Sequence, residues 1–409
     1  MGLRNLPGGV PEPHELIGRE HLIDLLWKQL AGTNIFLVAP RRFGKTGVMR
    51  HVYKKPRNGH LPVYLEVEDV HSPQEFAAEM LASLAEQARL RKILAQLKRV
   101  PAQVSDLLAE RIDEVGVDQF KIKLRDALGE KWKTLSGRLI REMEKADGKV
   151  IFIIDEFPQM IENVSKAQGQ STARSLLAWF RSLRMRQKDE LRRFRFILAG
   201  STGIDVVLRK LQSADKLNDF FRLPVEPLSE HDGRELLRRL ADSYQLQFKP
   251  EAVDRLLHLI GAPVPYFIHL FVSQILLEPD LKDSLLTPEN VEAVFSKRLT
   301  GPSCRAYLEY FRQRLKRYEP ALERAASAIL QHIADSRHGR VAESTLFEIY
   351  SKTRKNEADE LEFREILADL ECDLYVSLDT ATNEYFFQME IMKAWWKRFY
   401  AKLKPTPKK

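Results

Sequence analysis

Two short segments of the chain carry residue types that bind phosphate groups and divalent cations. The first is Ala39-Pro-Arg-Arg-Phe-Gly-Lys-Thr46, which matches the phosphate-loop pattern G-x-x-x-x-G-K-[ST] except that alanine replaces the first glycine. In such a loop the backbone amides and the positive end of the following helix hold phosphates. We expect Lys45 to reach the β- and γ-phosphate oxygens and Thr46 to ligate Mg²⁺.

The second segment is Ile151-Phe-Ile-Ile-Asp155-Glu156, an apolar run that ends in two carboxylates. Ligands of open α/β sheets bind at the carboxyl ends of the strands, where this pair would lie. We expect Asp155 to hold the Mg²⁺ shell and Glu156 to polarise an attacking water molecule. Two adjacent carboxylates favour hydrolysis over phosphorylation of a small metabolite.

Two further residues are candidates for a catalytic role. Ser201 follows the apolar run Phe194–Ala199, where a hydroxyl group can sense a γ-phosphate; a helix cap near Gly203 explains it equally well. Arg222 is a candidate for stabilising transition-state charge, including across a subunit interface, and a solvated surface role is the alternative. The other loop residues expected to line the nucleotide site are Pro40, Arg41, Arg42, Phe43, Gly44 and Gly47.

The elements around these segments alternate between buried strands and long helices. Such alternation predicts a parallel sheet covered on both faces. A capping box at Ser72 and Glu75 marks the start of one helix, which is expected to reach about Arg99. Apolar residues at spacings of three and four predict one continuous helix over 118–146. The predicted strands are Asn34–Val38, Pro62–Val67, Lys149–Ile154 and Phe194–Ala199.

Beyond Pro227 the pattern becomes helical, and from Pro320 three helices and a β-hairpin describe a winged helix. The predicted fold is an α/β P-loop NTPase core of the ASCE type, with a helical lid domain and a C-terminal winged-helix domain. The predicted parts are a flexible N-terminal arm over 1–15, the core over 16–227, the lid over 228–317, the winged helix over 318–403 and a basic tail over 404–409.

Six motifs together resemble the archaeal-type ATPases, which belong to the STAND branch near the AAA+ P-loop ATPases. The resemblance covers about Leu16 to Tyr400 and implies ATP and Mg²⁺ as cofactors. It also implies that Ile17, Gly18 and Arg19 line the adenine site, that Pro265 approaches the base from the lid, and that Ser201 is the polar residue of the sensor strand. The motifs are Leu16–Glu20, Ala39–Thr46, Ile153–Phe157, Leu198–Ser201, Asn218–Arg222 and Pro265–Phe267.

The charge balance favours polyanionic partners, because 65 basic and 57 acidic residues give a net charge of +8. The predicted third helix of the winged domain, 357–373, nevertheless holds eight acidic residues and one basic residue, Arg364. We therefore do not expect this helix to bind DNA. We expect the winged helix to pack on protein instead, and one candidate surface is the basic helix around Arg181, Arg184, Arg186, Lys188, Arg192 and Arg193.

The C-terminal segment from Lys393 is basic and contains Trp395 and Trp396. We expect both tryptophans to pack the last helix onto the winged helix; contact with nucleic acid or an acidic protein is the alternative. No apolar run approaches the ~18 residues of a membrane span, and the N-terminus lacks a targeting segment, which predicts a cytoplasmic protein. The two cysteines indicate neither a disulfide framework nor a zinc site.

Three functional interpretations follow. The primary one is an ATP phosphohydrolase, slow or partner-stimulated, whose ATP and ADP states reposition the lid and winged helix to regulate a protein partner or self-association. The alternative is a DNA-associated ATPase adaptor, similar to origin-recognition-type initiators or transposition regulators, in which ATP licenses assembly on DNA. The third is a nucleotide-bound scaffold that never hydrolyses, against which the pair Asp155 and Glu156 argues.

Overall fold

The computed structural model describes residues 2–87, 107, 116–143, 149–185, 194–200, 203–354 and 357–400. Contacts between residues divide the chain into two compact units. The first unit contains Glu20–Arg41 and Lys45–Val225. The second contains the residues up to Arg19, the short segment Arg42–Gly44 and the chain from Glu226 onward.

A parallel β-sheet is the centre of the first unit. Its described strands are ordered β2-β3-β4-β1-β5, and each neighbouring pair is parallel. Four of the strands were predicted from apolar runs. The fifth, β5, was not predicted, because Phe221 is exposed and Arg222 interrupts its apolar pattern. The strands are β1 (Asn34–Val38), β2 (His60–Glu66), β3 (Lys149–Asp155), β4 (Phe194–Ala199) and β5 (Phe220–Pro224).

Helices cover the sheet, and aromatic rings fill the layer beneath one face. Phe152 and Phe196 stack with their centroids 5.2 Å apart, and Phe180 meets Phe196 edge to face at 5.2 Å. Fully burying each such side chain contributes about 1.5–3 kcal/mol. The helices are α1 (Glu20–Leu30), α2 (Lys45–Lys54), α3 (Pro73–Glu86), α4 (Val117–Leu128), α5 (Trp132–Met143), α6 (Phe157–Gln168), α7 (Gln170–Met185) and α8 (Ile204–Lys210).

Helix α3 begins with the predicted capping box, in which Ser72 and Glu75 exchange hydrogen bonds with each other's backbone. The part of the predicted helix from 88 to 99 lies outside the described residues. The prediction of one continuous helix over 118–146 is wrong. Gly129 adopts φ 45° and ψ −140°, a conformation that other residues avoid, and it separates α4 from α5. The apolar stripe still faces the core on both sides of the break, because Phe120, Leu124, Leu128, Trp132, Leu135 and Leu139 are buried.

The second unit begins its described chain with an N-terminal arm, residues 2–15, that is bonded to helices. The sequence predicts a flexible arm, but Leu3 N donates to Ser243 Oγ at 2.7 Å and Asn5 N donates to Tyr244 OH at 2.9 Å. Leu6 N donates to His269 Nδ1 at 3.2 Å. Proline and glycine keep the arm from forming a helix, and three of its backbone donors bind side chains of distant helices instead.

The helical part of the second unit contains six described α-helices and a short parallel pair of strands. Proline occupies the first turn of four of these helices, where its missing N–H has no intrahelical partner. The helices are α9 (Glu230–Tyr244), α10 (Pro250–Ile260), α11 (Pro265–Leu276), α12 (Pro279–Lys282), α13 (Pro288–Val294) and α14 (Arg305–Arg314), and the strands are β6 (Gln247–Phe248) and β7 (Leu285–Leu286).

The predicted winged helix is confirmed. Strand β10 pairs antiparallel with both β8 and β9 and completes the wing. Trp395 and Trp396 are fully buried where α18 packs on α15, β10 and α10, which confirms their predicted packing role. The elements are α15 (Pro320–Asp335), β8 (Arg340–Ala342), α16 (Glu343–Arg354), α17 (Glu360–Cys372), β9 (Val376–Asp379), β10 (Glu384–Phe387) and α18 (Glu390–Tyr400).

Arg184, a member of the predicted basic helix, has its charge compensated within its own unit. Arg184 is buried and forms a two-bond ion pair with Asp219 of its own unit, with Nε–Oδ2 and Nη2–Oδ1 distances of 2.8 Å. On α17, Glu362 pairs with Arg354 at 3.0 Å. Both charges are therefore compensated inside their own units. Arg181 pairs with Asp215 at 2.5 Å, and the other predicted basic positions, 186, 188, 192 and 193, lie outside the described residues.

Candidate nucleotide-binding site

The segment from Ala39 to Thr46, here called the phosphate loop, connects the carboxyl end of β1 to the first turn of α2. Strand β1 lies between β4 and β5 in the sheet, so the loop leaves the sheet from an interior strand. Arg42 and Gly44 adopt left-handed backbone conformations, with φ of 74° and 91°. The predicted strand–loop–helix order is confirmed, and the loop precedes a helix N-terminus that can bind anions.

Lys45 is the first residue of α2, and its side chain is held within the loop. It is buried, with 6% of its surface exposed. Its Nζ donates hydrogen bonds to the carbonyl oxygens of Ala39 at 2.6 Å and Pro40 at 2.7 Å. The ammonium group is thus positioned over the beginning of the loop by two backbone acceptors.

Thr46 and Asp155, the two predicted magnesium ligands, are in direct contact. Thr46 Oγ1 donates to Asp155 Oδ2 at 2.8 Å. Asp155 ends β3 and is buried, and its Oδ1 accepts the backbone N–H of Glu156 at 3.0 Å. The loop and the strand end, separated by more than a hundred residues, therefore supply adjacent oxygen atoms.

Tyr64 is a third residue on the Asp155 carboxylate, and sequence reasoning missed it. Its hydroxyl donates to Asp155 Oδ2 at 3.2 Å, and the Arg50 guanidinium lies 4.0 Å from the centre of its ring. Burial, and then the charge of Asp155, raise the pKa of Tyr64, so the hydroxyl keeps its proton. Tyr64 pairs with Ile153 in the β2–β3 register, which puts it on the same face as Asp155. That register was the missing signal.

Glu156 occupies the residue between β3 and α6. It adopts the left-handed conformation at φ 56°, is half-buried, and is the N-terminal flanking residue of α6. Non-glycine residues in this conformation are concentrated at functional sites, where surrounding contacts hold them. Here the hydrogen bond from its backbone N–H to Asp155 fixes the turn.

The oxygen atoms of Thr46 and Asp155 fit a magnesium ion. Magnesium prefers oxygen ligands and usually binds through one or two carboxylates together with phosphate and water. Within the described ranges no group of three or more histidine, cysteine or acidic side chains could hold a metal by itself. A hydroxyl beside a single buried carboxylate suits an ion that arrives with a nucleotide.

Three loop residues, Arg42, Phe43 and Gly44, belong by their contacts to the second unit; we call them the loop crest. Arg42 Nη1 donates to Tyr266 OH at 2.7 Å, and the guanidinium lies 4.3 Å from the centre of the Tyr266 ring. Arg42 also donates to the carbonyl oxygen of Tyr307. The side chain of Arg42, predicted to line the nucleotide site, is therefore engaged by two tyrosines that sequence reasoning did not identify.

The predicted adenine-site residues Ile17, Gly18 and Arg19 lie in the second unit too. Arg19 is buried and donates to the carbonyl oxygens of Glu226 at 2.7 Å and Phe43 at 3.2 Å. Burial lowers the pKa of Arg19 to about 10, so it stays charged.

A side chain in place of Gly18 would collide with another element of this unit. Gly18 has φ 66°, and a Cβ there would lie 2.6 Å from Cβ of Asp232. Ile17 is half-buried, and Pro265 occupies the first turn of α11 beside Tyr266. The backbone at Gly18 therefore packs closely against the Asp232 side chain within the second unit.

The predicted site residues that remain are Arg41, Gly47, Arg222 and Ser201. Arg41 pairs with Glu68 at 3.2 Å, and Gly47 is buried in α2. Arg222 lies on β5, pairs with Asp205 at 2.8 Å and stacks over Phe36 at 5.0 Å. Ser201 lies outside the described residues.

Comparison with known proteins gives structural matches alone. No protein-family model and no curated protein sequence matches the chain. The Walker-type ATPase PABY2304 of Pyrococcus abyssi matches with a TM-score of 0.61 at 15% identity, over 96% of this chain and 100% of that chain. The ORC2 protein of Aeropyrum pernix, solved in ADPNP and ADP complexes, matches with a TM-score of 0.52 at 13% identity, over 95% of each chain.

At these identities the similarity concerns the fold, and it agrees with the elements described above. The parallel sheet, the loop after β1 and the C-terminal winged helix are present as the sequence predicts. Among the described residues no helix is long and apolar enough to cross a membrane. The chain has the fold of a P-loop NTPase core followed by a winged-helix domain.

Proposed function

We propose that the protein binds ATP with Mg²⁺ at the phosphate loop, hydrolyses it slowly, and acts as a nucleotide-dependent switch. The observation that carries this proposal is the contact between Thr46 and Asp155, with Lys45 next in sequence and fixed over the loop. Phosphate-binding loops of ATPases use a lysine, a hydroxyl and a strand-end aspartate in these roles. The two structural matches, described as an ATPase and as a protein with bound ADPNP and ADP, support the choice of nucleotide.

Binding of the triphosphate would change the partners of Lys45. Its Nζ now donates to the carbonyl oxygens of Ala39 and Pro40. Phosphate oxygens are charged acceptors and make stronger hydrogen bonds with an ammonium group than carbonyl oxygens do. Lys45 would therefore exchange these bonds for β- and γ-phosphate oxygens, while the amides at the start of α2 bind the phosphates from the other side.

Thr46 and Asp155 would hold the magnesium ion, which neutralises charge on the phosphates when it is bound. Thr46 would ligate through its hydroxyl, and the Asp155 carboxylate, fixed by Tyr64 and by the backbone of Glu156, would hold the ion's shell. The role of these three contacts is to set the carboxylate in one orientation before the nucleotide arrives.

Glu156 would accept a proton from the attacking water molecule. Its backbone is held next to Asp155, and the residue is half-buried. A positioned general base contributes about 10²–10⁴-fold to such a reaction. Ser201 would sense the γ-phosphate, and Arg222 would stabilise transition-state charge after leaving Asp205.

The switch would act through the helical and winged-helix parts of the chain on a protein partner or a second copy. Binding of ADP and ATP can be tested by isothermal titration calorimetry on the full chain, with and without Mg²⁺, beside Lys45→Ala. Tight, Mg²⁺-dependent binding that is lost in Lys45→Ala supports the proposal. Absence of binding by the unaltered protein would contradict it.

A further inference from the structure

The loop crest, Arg42–Gly44, has two sets of attachments. Through the peptide bonds at both ends it is continuous with Arg41 and Lys45 of the phosphate loop. Through its contacts it belongs to the second unit. A change in the loop's backbone therefore has a direct route to the residues that hold the crest.

Arg42 makes the most specific of these contacts. Its guanidinium stacks on the Tyr266 ring, donates to the Tyr266 hydroxyl at 2.7 Å and donates to the carbonyl oxygen of Tyr307. Tyr266 belongs to α11 and is buried, with 4% of its surface exposed; Tyr307 belongs to α14. A planar guanidinium that both stacks and donates fixes position and orientation, which a lysine at the same place could not do.

The backbone conformation of Arg42 also indicates that its side chain has a specific role. Its φ of 74° is unfavourable for a residue with a side chain, and a glycine would adopt it without strain. Arginine at this position is therefore explained by what its side chain does. The next residue, Phe43, is buried, and its carbonyl oxygen accepts a hydrogen bond from Arg19.

We propose that Arg42 is a positioning residue that preforms the phosphate loop by holding its crest on Tyr266 and Tyr307, and that it transmits nucleotide occupancy to α11. This inference rests on the proposed nucleotide site and adds to it the route by which the helical part senses the loop. Arg42 acts through the tyrosines and through its own backbone amide, and its guanidinium is not a phosphate ligand.

The first test is hydrogen–deuterium exchange of the full chain with and without saturating ADP and Mg²⁺. The unaltered protein should gain protection both in α2, residues 45–54, and in α11, residues 265–276. Arg42→Ala should keep the gain in α2 and lose the gain in α11, because ADP at saturation still occupies the loop. Tyr400→Phe, which removes a hydroxyl in the same unit, is the matched control and should keep both gains.

Two other results of this experiment would contradict the inference. Retention of the α11 response in Arg42→Ala would overturn the inference while leaving the nucleotide site in place. No response in α2 of the unaltered protein would overturn the proposed function and this inference with it.

The second test measures whether Arg42 and Tyr266 act as one unit. Loss of a charged hydrogen bond and a stacked ring predicts that Arg42→Ala weakens ADP binding about tenfold. Arg42→Lys should recover a minor part of the affinity, and Tyr266→Phe should weaken binding by a smaller factor. The double variant should bind no more weakly than Arg42→Ala alone. Additive effects, or tighter binding by Tyr266→Phe, would overturn the inference.

Discussion

Thr46 and Asp155 are 109 residues apart in sequence, yet the hydroxyl of one donates to the carboxylate of the other at 2.8 Å. The contact joins the first turn of α2 to the carboxyl end of β3. Parallel strands bring such ends to one edge of the sheet, which explains how two local motifs meet. The same carboxylate accepts hydrogen bonds from Tyr64 and from the backbone of Glu156, so it is fully oriented.

Removing the Tyr64 hydroxyl should loosen this carboxylate. We expect Tyr64→Phe to raise the Mg²⁺ concentration needed for half-maximal ATP turnover at least about tenfold, the effect of one lost hydrogen bond to a charged group. Titration of Mg²⁺ at fixed ATP measures it. Tyr53→Phe is the matched control, because Tyr53 packs on the Tyr64 ring at 5.8 Å and should leave the Mg²⁺ dependence unchanged. An unchanged requirement in Tyr64→Phe would show that Tyr64 does not orient Asp155.

Truncation of Lys45 should abolish nucleotide binding. The ammonium group is the charged donor fixed over the beginning of the loop, and we expect Lys45→Ala to raise the Kd for ATP at least about 100-fold. Calorimetry measures the affinity, and thermal unfolding reports whether the fold is kept. Lys54→Ala, at the other end of the same helix, should bind as the unaltered protein does. If Lys45→Ala bound ATP as tightly as the unaltered protein, the phosphate loop would not be the nucleotide-binding site.

Much of the fold could be predicted because its signals are local. Strands buried on both faces appear as continuous apolar runs, and the winged helix follows from three amphipathic segments and a hairpin. Strand β5 was not predicted because an exposed Phe221 and the charged Arg222 interrupt its apolar run. The break at Gly129 was not predicted because the apolar spacing continues across it. Periodicity alone cannot distinguish one helix from two.

Some residues of the candidate site could likewise be predicted from local motifs, and others could not. Lys45, Thr46 and Asp155 follow from two contiguous motifs whose positions in an α/β sheet are fixed by general rules. Tyr64 depends on the register of β2 against β3, and Tyr266 depends on tertiary packing around Arg42. Neither relationship leaves a pattern in the sequence. The arm at residues 2–15 was misjudged for the same reason, since its hydrogen-bond acceptors come from distant helices.

Attachment of this arm should depend on pH through His269. Burial lowers the pKa of His269 from 6.5 to about 4, although the charge of Glu15 acts to raise it. Its Nδ1 accepts the Leu6 N–H only while that nitrogen carries no proton, and Asn5 Oδ1 lies 3.0 Å from the same nitrogen. Because the folded state resists protonation, the stability from this contact is complete above pH 6.5 and declines as the pH falls towards about 4.

Urea unfolding between pH 7.5 and 4.5 measures this dependence. The free energy of unfolding of the unaltered protein should fall over the range, and His269→Gln should have a flatter profile because it removes the titrating ring. His231→Gln, at an exposed histidine of α9, is the control and should retain the slope. Identical slopes for the unaltered protein and His269→Gln would show that this ring does not control the decline.

Duplex DNA should not bind through helix α17. The side chains of Glu357 and Glu360, before and at the start of this helix, are 76% and 67% exposed, and they repel phosphates. We expect no salt-dependent anisotropy change with labelled duplex and no stimulation of ATP turnover by DNA. Charge reversal by Glu360→Lys with Glu365→Lys should raise the affinity for DNA, because it replaces two repelling carboxylates with ammonium groups. Salt-dependent binding by the unaltered protein, lost on deletion of 402–409, would favour the DNA-associated adaptor instead.

ATP hydrolysis by the purified full chain with Mg²⁺, measured beside Glu156→Gln, tests the central claim most directly. The account predicts slow turnover by the unaltered protein that is indifferent to duplex DNA. It predicts that Glu156→Gln binds ATP with similar affinity but turns over at least about 100-fold more slowly, because the amide cannot accept the proton of water. Equal turnover by Glu156→Gln would contradict the assigned base, and no turnover by the unaltered protein would contradict the hydrolytic switch.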